Sequence, residues 1–155
     1  GVAGDSSLLA SFDKVRHTIL TKNRDTDSLR DNVVSMRKKM RDHLNAGTPS
    51  EIDLKQCEGG IADIEFLTQF WVLACSHEHD SLTRYTDNTR ILNMAMTLGI
   101  IDNKTCDNLV GAYQTLRGQY HQLTLADDKF AQRSEQLDAL LNNVKRIWQQ
   151  VLGAE

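Results

Sequence analysis

The sequence predicts an all-α protein, an up-and-down bundle of about six helices. Three observations predict it: a single proline, Pro49, in 155 residues; an aromatic content of 6%, too low for a sheet-rich core; and apolar residues recurring at spacings of three and four through six separate stretches.

The first stretch starts at Ser7, with Leu8, Leu9, Phe12, Val15, Ile19 and Leu20 as its expected inner face, Asp5 or Ser6 as its cap, and an end near Asn23. Asp27 or Ser28 is placed to cap the second. Its expected core stripe is Leu29, Val33, Met36, Met40 and Leu44, and Asn45 to Gly47, then Pro49, stop it. Residues 48 to 58 form the one long connection, where Ile52 and Leu54 alternate with Asp53 and Lys55 as in a loop or lone strand. Gly59 and Gly60 open a third helix running to about His77. Ile61, Ile64, Leu67 and Phe70 to Ala74 leave little of its circumference polar, which makes it the central one. A fourth begins at Thr86 or Asp87 and halts at Gly99. A fifth begins at Asp102 or Asn103 and carries Cys106, Leu109, Val110, Tyr113, Leu116, Tyr120 and Leu123 inward. The last is expected from about Asp128 to Leu152, on Phe130, Leu137, Leu140, Leu141, Val144, Ile147, Trp148 and Val151. No repeat or composition shift divides the chain, so residues 1–155 read as one domain.

Charge and composition exclude several functions. Lys and Arg number 18 against 21 Asp and Glu, a net −3, which does not suit a nucleic-acid partner. The longest apolar run is Phe70 to Cys75, far short of the roughly 20 residues of a membrane span. Three cysteines, Cys57, Cys75 and Cys106, are an odd number without CxxC spacing, and no leader precedes Asp5, so a reducing cytoplasm is expected.

Chemistry is concentrated between Asp53 and Phe66. Gly59 and Gly60 at a helix start, with Lys55 just upstream, could admit an anion to the free amides, or could simply turn the chain tightly into a buried helix. Asp63 falls among Leu67, Phe70 and Ala74, where an unpaired carboxylate is costly, so it must have a partner. Lys55, the glycine amides or an arginine from another helix would make it a structural lock; facing a cleft, it would be an active-site carboxylate. Glu65 points elsewhere and is better placed to reach solvent or a partner domain. Arg30, Arg37 and Arg41 line one side of the second helix, as a phosphate- or partner-binding row or as a solvated face. No metal site is expected: Cys75 and His77 point about 200° apart on a helix, and Asp25 to Asp27 reads as a capping segment without a Gly-Ser phosphate loop upstream. No nucleophile triad or glycine-rich phosphate loop is present either.

Five segments carry a resemblance: Val34 to Met40, Asp53 to Lys55, Gly59 to Gln69, Leu82 to Asn88 and Ala112 to Arg117. In that order they are similar to the C-terminal helical domain of bacterial glutamine synthetase adenylyltransferases, and the string from Lys55 through Gly59, Gly60 and Asp63 to Gln69 is the most specific. The resemblance implies a bundle of the nucleotidyltransferase substrate-binding type, following a catalytic nucleotidyltransferase domain that is absent from this chain. It implies that the full enzyme uses ATP and magnesium to adenylylate, and also deadenylylates, a tyrosine of glutamine synthetase in nitrogen regulation. This fragment would then be silent alone and hold no cofactor. The implied partners are its own catalytic domain, glutamine synthetase and the PII signalling protein. Lys55, Gly59, Gly60, Asp63 and Glu65 would line or brace the inter-domain cleft. The rival expectations are a stand-alone helical interaction protein and the equivalent bundle of a PII uridylyltransferase. The leading Gly1 and the ending Gly153 to Glu155 favour an excised C-terminal domain over both.

Overall fold

A computed structural model describes residues 5–44 and 50–153. Six α-helices follow in order: α1 Ser6–Leu20, α2 Thr26–Leu44, α3 Ile61–Cys75, α4 Asn88–Thr97, α5 Asn103–Leu125 and α6 Glu135–Leu152, with a 3-10 turn at Asp80–Thr83. The bundle is all-α, as expected. The stop expected for α2 at Asn45 to Pro49 lies outside the described residues.

Short polar side chains start the helices. Asp5, Asp25, Asp87 and Asp102 accept from backbone amides of the first turns of α1, α2, α4 and α5. Asp25 rather than Asp27 or Ser28 therefore caps α2. The Thr105 side chain and amide hold Asp102 below the usual carboxylate range, and the Arg90 amide does the same for Asp87. Because the folded value lies below the unfolded one, this stabilisation is complete above the ordinary carboxylate range and is lost on acidification.

The last helix starts later than its periodicity suggests. Ser134, extended at φ −145°, caps α6 through its hydroxyl, which accepts from the Leu137 amide at 3.2 Å. Upstream, β2 (Ala131–Gln132) pairs antiparallel with β1 (Glu51–Ile52), Glu51 opposite Gln132 and Ile52 opposite Ala131. The strand expected to be alone thus has a partner, and Phe130, assigned to α6, precedes β2 half-buried. Ser134→Ala is expected to cost about 1 kcal/mol, read as a lower urea midpoint at an unchanged slope.

α3 is the central helix, packed against α2, α4, α5 and α6. Its Ile61, Ile64, Leu67, Phe70, Trp71 and Val72 meet Leu92 and Ala95 of α4, Cys106, Leu109 and Leu116 of α5, and Leu137, Leu141, Val144, Ile147 and Trp148 of α6 in one core. Two expected stripes join it only in part, with Leu20 of α1 and Leu29 and Val33 of α2 packing half-buried against it. α1 buries none of its residues, and Leu8, Phe12, Val15 and Ile19 stand exposed. On α2 the buried residue is Arg37, while Met36 and Leu44 are exposed. Spacing reveals an amphipathic helix; it does not reveal whether the covering surface belongs to the same chain.

Candidate functional site

The turn from β1 into α3 is built around two buried charges. Asp53 accepts from the Lys55 and Gln56 amides, tightening the turn and sending Leu54 fully into the core. Gln56 and Cys57 then direct their carbonyls at Arg37, which reaches across from α2 with no exposed surface. Arg37 Nε donates to Asp63 Oδ1 at 2.6 Å, Nη2 to the Gln56 carbonyl at 2.9 Å, and Nη1 to Gln56 Oε1 at 3.4 Å. The second carboxylate oxygen, Asp63 Oδ2, accepts from the Gly59 amide at 2.6 Å. Both oxygens and every guanidinium nitrogen are thus engaged, which lets a desolvated ion pair exist. Asp63 is the structural lock, and its partner is an arginine of another helix together with a glycine amide.

The glycine pair serves packing. Gly59 sits at φ +73°, and a Cβ there would lie 2.1 Å from the Leu141 carbonyl oxygen of α6; one on Gly60 would lie 2.6 Å from the Leu54 carbonyl oxygen. The amides expected to receive an anion are spent: Gly60 donates to the Cys57 carbonyl, Ile61 to Leu54, Ala62 to Lys55 and Asp63 to Gly60. Lys55 stays exposed at the surface of the turn.

The arginine row does not form a solvent-facing strip. Arg37 is wholly internal, which removes it as an anion or partner ligand because its donors are all directed at Asp63, Gln56 and Cys57. Arg41 pairs with Glu58 at 2.9 Å, and Glu58 also meets Lys145 of α6 at 3.4 Å. Arg30 pairs with Asp27 at 2.7 Å. Between Arg41, Cys57, Glu58 and Lys145 runs a polar cleft of about 280 Å³. Burial, with the charges of Asp63 and Asp53, pushes the Cys57 thiol up to about 12, so it is protonated and poorly nucleophilic at neutral pH.

A second polar centre lies on the far side of α3. Tyr113 of α5 donates its hydroxyl to Glu65 Oε1 at 3.1 Å and accepts from Asn88 Nδ2 of α4 at 2.8 Å. The Arg117 guanidinium lies 5.7 Å from the Tyr113 ring centroid, and Arg84 and Arg90 flank the Tyr85 ring at 5.5 and 5.1 Å. Asn88, Tyr113, Gln114 and Arg117 line an open cleft of about 410 Å³. Glu65 is thus tied to neighbouring helices rather than free in solvent. The sequence reading singled out Glu65 but passed over Asn88, Tyr113 and Arg117. The usable signal was their position in two of the segments that carry the resemblance, which the fold brings together here with the segment of Glu65. Tyr113→Phe is expected to cost about 1 kcal/mol, measured by thermal melting, without disturbing the Arg37–Asp63 pair.

Among the described residues no three His, Cys, Asp or Glu side chains converge to hold a metal ion.

A family model described as GlnD PII-uridylyltransferase matches residues 27–142, well over half of the chain. The chain belongs to the GlnD PII-uridylyltransferase family. The stretch matched to that family holds every member of both polar centres, from Arg37 to Arg117. Within curated proteins the chain is 49% identical, over 152 residues, to the bifunctional glutamine synthetase adenylyltransferase/adenylyl-removing enzyme of Alteromonas mediterranea, covering 98% of this chain and 15% of that protein. It is 39% identical over 153 residues to the protein of the same name from Methylococcus capsulatus, covering 99% of this chain and 16% of that one. The chain therefore spans about one-sixth of the length of the curated relatives it matches. No helix among the described residues is long and apolar enough to cross a membrane.

Proposed function

We propose that this chain is the helical domain following the adenylylating nucleotidyltransferase domain of an enzyme that attaches AMP to, and removes it from, a tyrosine of glutamine synthetase. The observation that carries the proposal is similarity across nearly the whole chain to two relatives bearing that activity in their names. In this reading ATP and magnesium belong to the catalytic domain, the enzyme works in the cytoplasm, and the PII protein is a regulatory partner. The domain packs on the catalytic domain. Asp63, Gly59 and Gly60 brace the turn before α3, while Lys55 and Glu65, on different sides of α3, are the candidates to line the inter-domain cleft. Arg30 and Arg41, already paired on α2, remain candidates for exchanging their carboxylates for a partner's.

The family model's own description favours one second reading, in which the same bundle accompanies uridylyl transfer to PII. Transfer of label from ATP to glutamine synthetase, and from UTP to PII, separates the two. A longer protein carrying the catalytic domain is expected to label glutamine synthetase from ATP, and the 155-residue chain alone to label neither target. Labelling of PII from UTP without AMP transfer would establish the second reading instead.

A further inference from the structure

We propose that the exposed seam of α1 is the surface on which the nucleotidyltransferase domain of the same polypeptide docks, through a helix of its own. The proposal rests on the function proposed above for the identity of that domain. At 100° per residue Leu8, Phe12, Val15 and Ile19 fall within about 60° of arc, spaced four, three and four, the pattern of a helix-packing seam. They are 56–69% exposed. The seam is held outward. Arg16 donates to the carbonyls of Thr83 and Tyr85, and Arg24 closes the other end by donating to the Ile19 carbonyl at 2.6 Å and to the Leu73 carbonyl of α3 at 3.4 Å. Rolling α1 over to bury its own seam would break these anchors. Leu9, Arg16 and Leu20 already occupy the half-buried side toward the bundle.

The flank of the seam away from Arg16 is polar without charge. Ser11 and Thr18 turn their hydroxyls back onto the Ser7 and Lys14 carbonyls, leaving an apolar strip of the kind found at the centre of an interface. At its end, Ile19 and Leu29, together with Lys22, Arg24 and Asp25, line a wide open groove between α1 and α2. The relatives are about six times as long as this chain, so a domain carried on the same polypeptide meets the seam intramolecularly, at an effective concentration set by its linker. A second copy of the chain would have to compete from far lower concentration.

The test uses the full-length enzyme, comparing wild type with Phe12→Glu/Val15→Glu by amide hydrogen exchange. In the wild type, α1 and one surface helix of the catalytic domain are expected to be protected together. In the variant both should exchange faster by about tenfold or more, while α3 to α6 are unchanged. Phe12→Leu should keep the protection, and so should Leu125→Glu, which alters an exposed leucine away from the seam. Fast exchange of α1 in the wild-type enzyme, or a variant that alters no amide outside this domain, would overturn the proposal. So would protection that rises with protein concentration alongside a dimer in sedimentation, since the occupant is then a second copy. AMP transfer to glutamine synthetase, measured on the same wild-type preparation, tests the functional reading separately: its absence sinks that reading and leaves the exchange result standing.

Discussion

Asp63→Ala is expected to lower the stability of the chain by about 3–5 kcal/mol, a large part of the roughly 5–15 kcal/mol that holds a typical domain. The loss comes from what remains behind. Arg37 would keep its full charge with no exposed surface, two carbonyls and a side-chain amide as its only acceptors, and no carboxylate. The Gly59 amide would lose its acceptor as well. Arg37→Ala should cost a similar amount, because it strands the carboxylate instead. Arg37→Met/Asp63→Leu removes both charges and should recover most of the loss, which is how a buried ion pair differs from a simple packing contact. Urea unfolding of wild type, Asp63→Ala, Arg37→Ala and Arg37→Ala/Asp63→Ala gives the coupling directly. A loss below about 1 kcal/mol for Asp63→Ala would mean that the pair does not hold α2 to α3.

Gly59→Ala is the second large effect, and its cause is backbone rather than charge. The position lies at φ +73°, costing a residue with a Cβ roughly 1–2 kcal/mol. The Cβ would also stand 2.1 Å from the Leu141 carbonyl oxygen, which cannot swing aside as a flexible side chain could. The turn must therefore move off α6, loosening the amide that holds Asp63. A combined loss of about 3 kcal/mol or more is expected. Gly153→Ala supplies the comparison. It too sits at positive φ, +61°, at the end of α6, with nothing within 4 Å of the added carbon, so it should show the conformational cost alone. If the two variants melt at the same temperature, the close approach of α6 to the turn is not tight.

How far this was legible from the sequence depends on what each feature needs. The requirement that Asp63 be paired could be read from its place among Leu67, Phe70 and Ala74, since that follows from helical geometry and the cost of burying charge. That its partner is Arg37 could not, because the pairing depends on how α2 crosses α3. Arg37 itself was misread because arginine on a helix rich in Asp and Lys looks like surface. The central place of α3 was legible because it is apolar nearly all round. The start of α6 was not: Phe130 continues the helical spacing, and only the pairing of Ala131 with Ile52, some eighty residues away, makes that segment extended. The seam of α1 has the periodicity of a core face, and the absence of a covering element among the described residues leaves no mark on the spacing. The polar centre at Tyr113 was hidden for a related reason, since a tyrosine at an inward spacing satisfies the apolar pattern whether or not its hydroxyl has work to do.

The short ribbon formed by β1 and β2 has a consequence for how this domain can vary. It fastens the connection between α2 and α3 to the connection between α5 and α6, two of the places where a helical bundle would ordinarily accept extra residues. Because Glu51 must meet Gln132 while Asp53 still turns the chain toward α3, an insertion between the ribbon and either α3 or α6 shifts register and so disturbs both connections at once. Spare length is instead tolerable at the exposed bend around Asp127, whose left-handed backbone lies outside the ribbon. In descendants of this sequence, growth and shrinkage should gather at that bend, while the stretches from the ribbon into α3 and into α6 should keep their lengths.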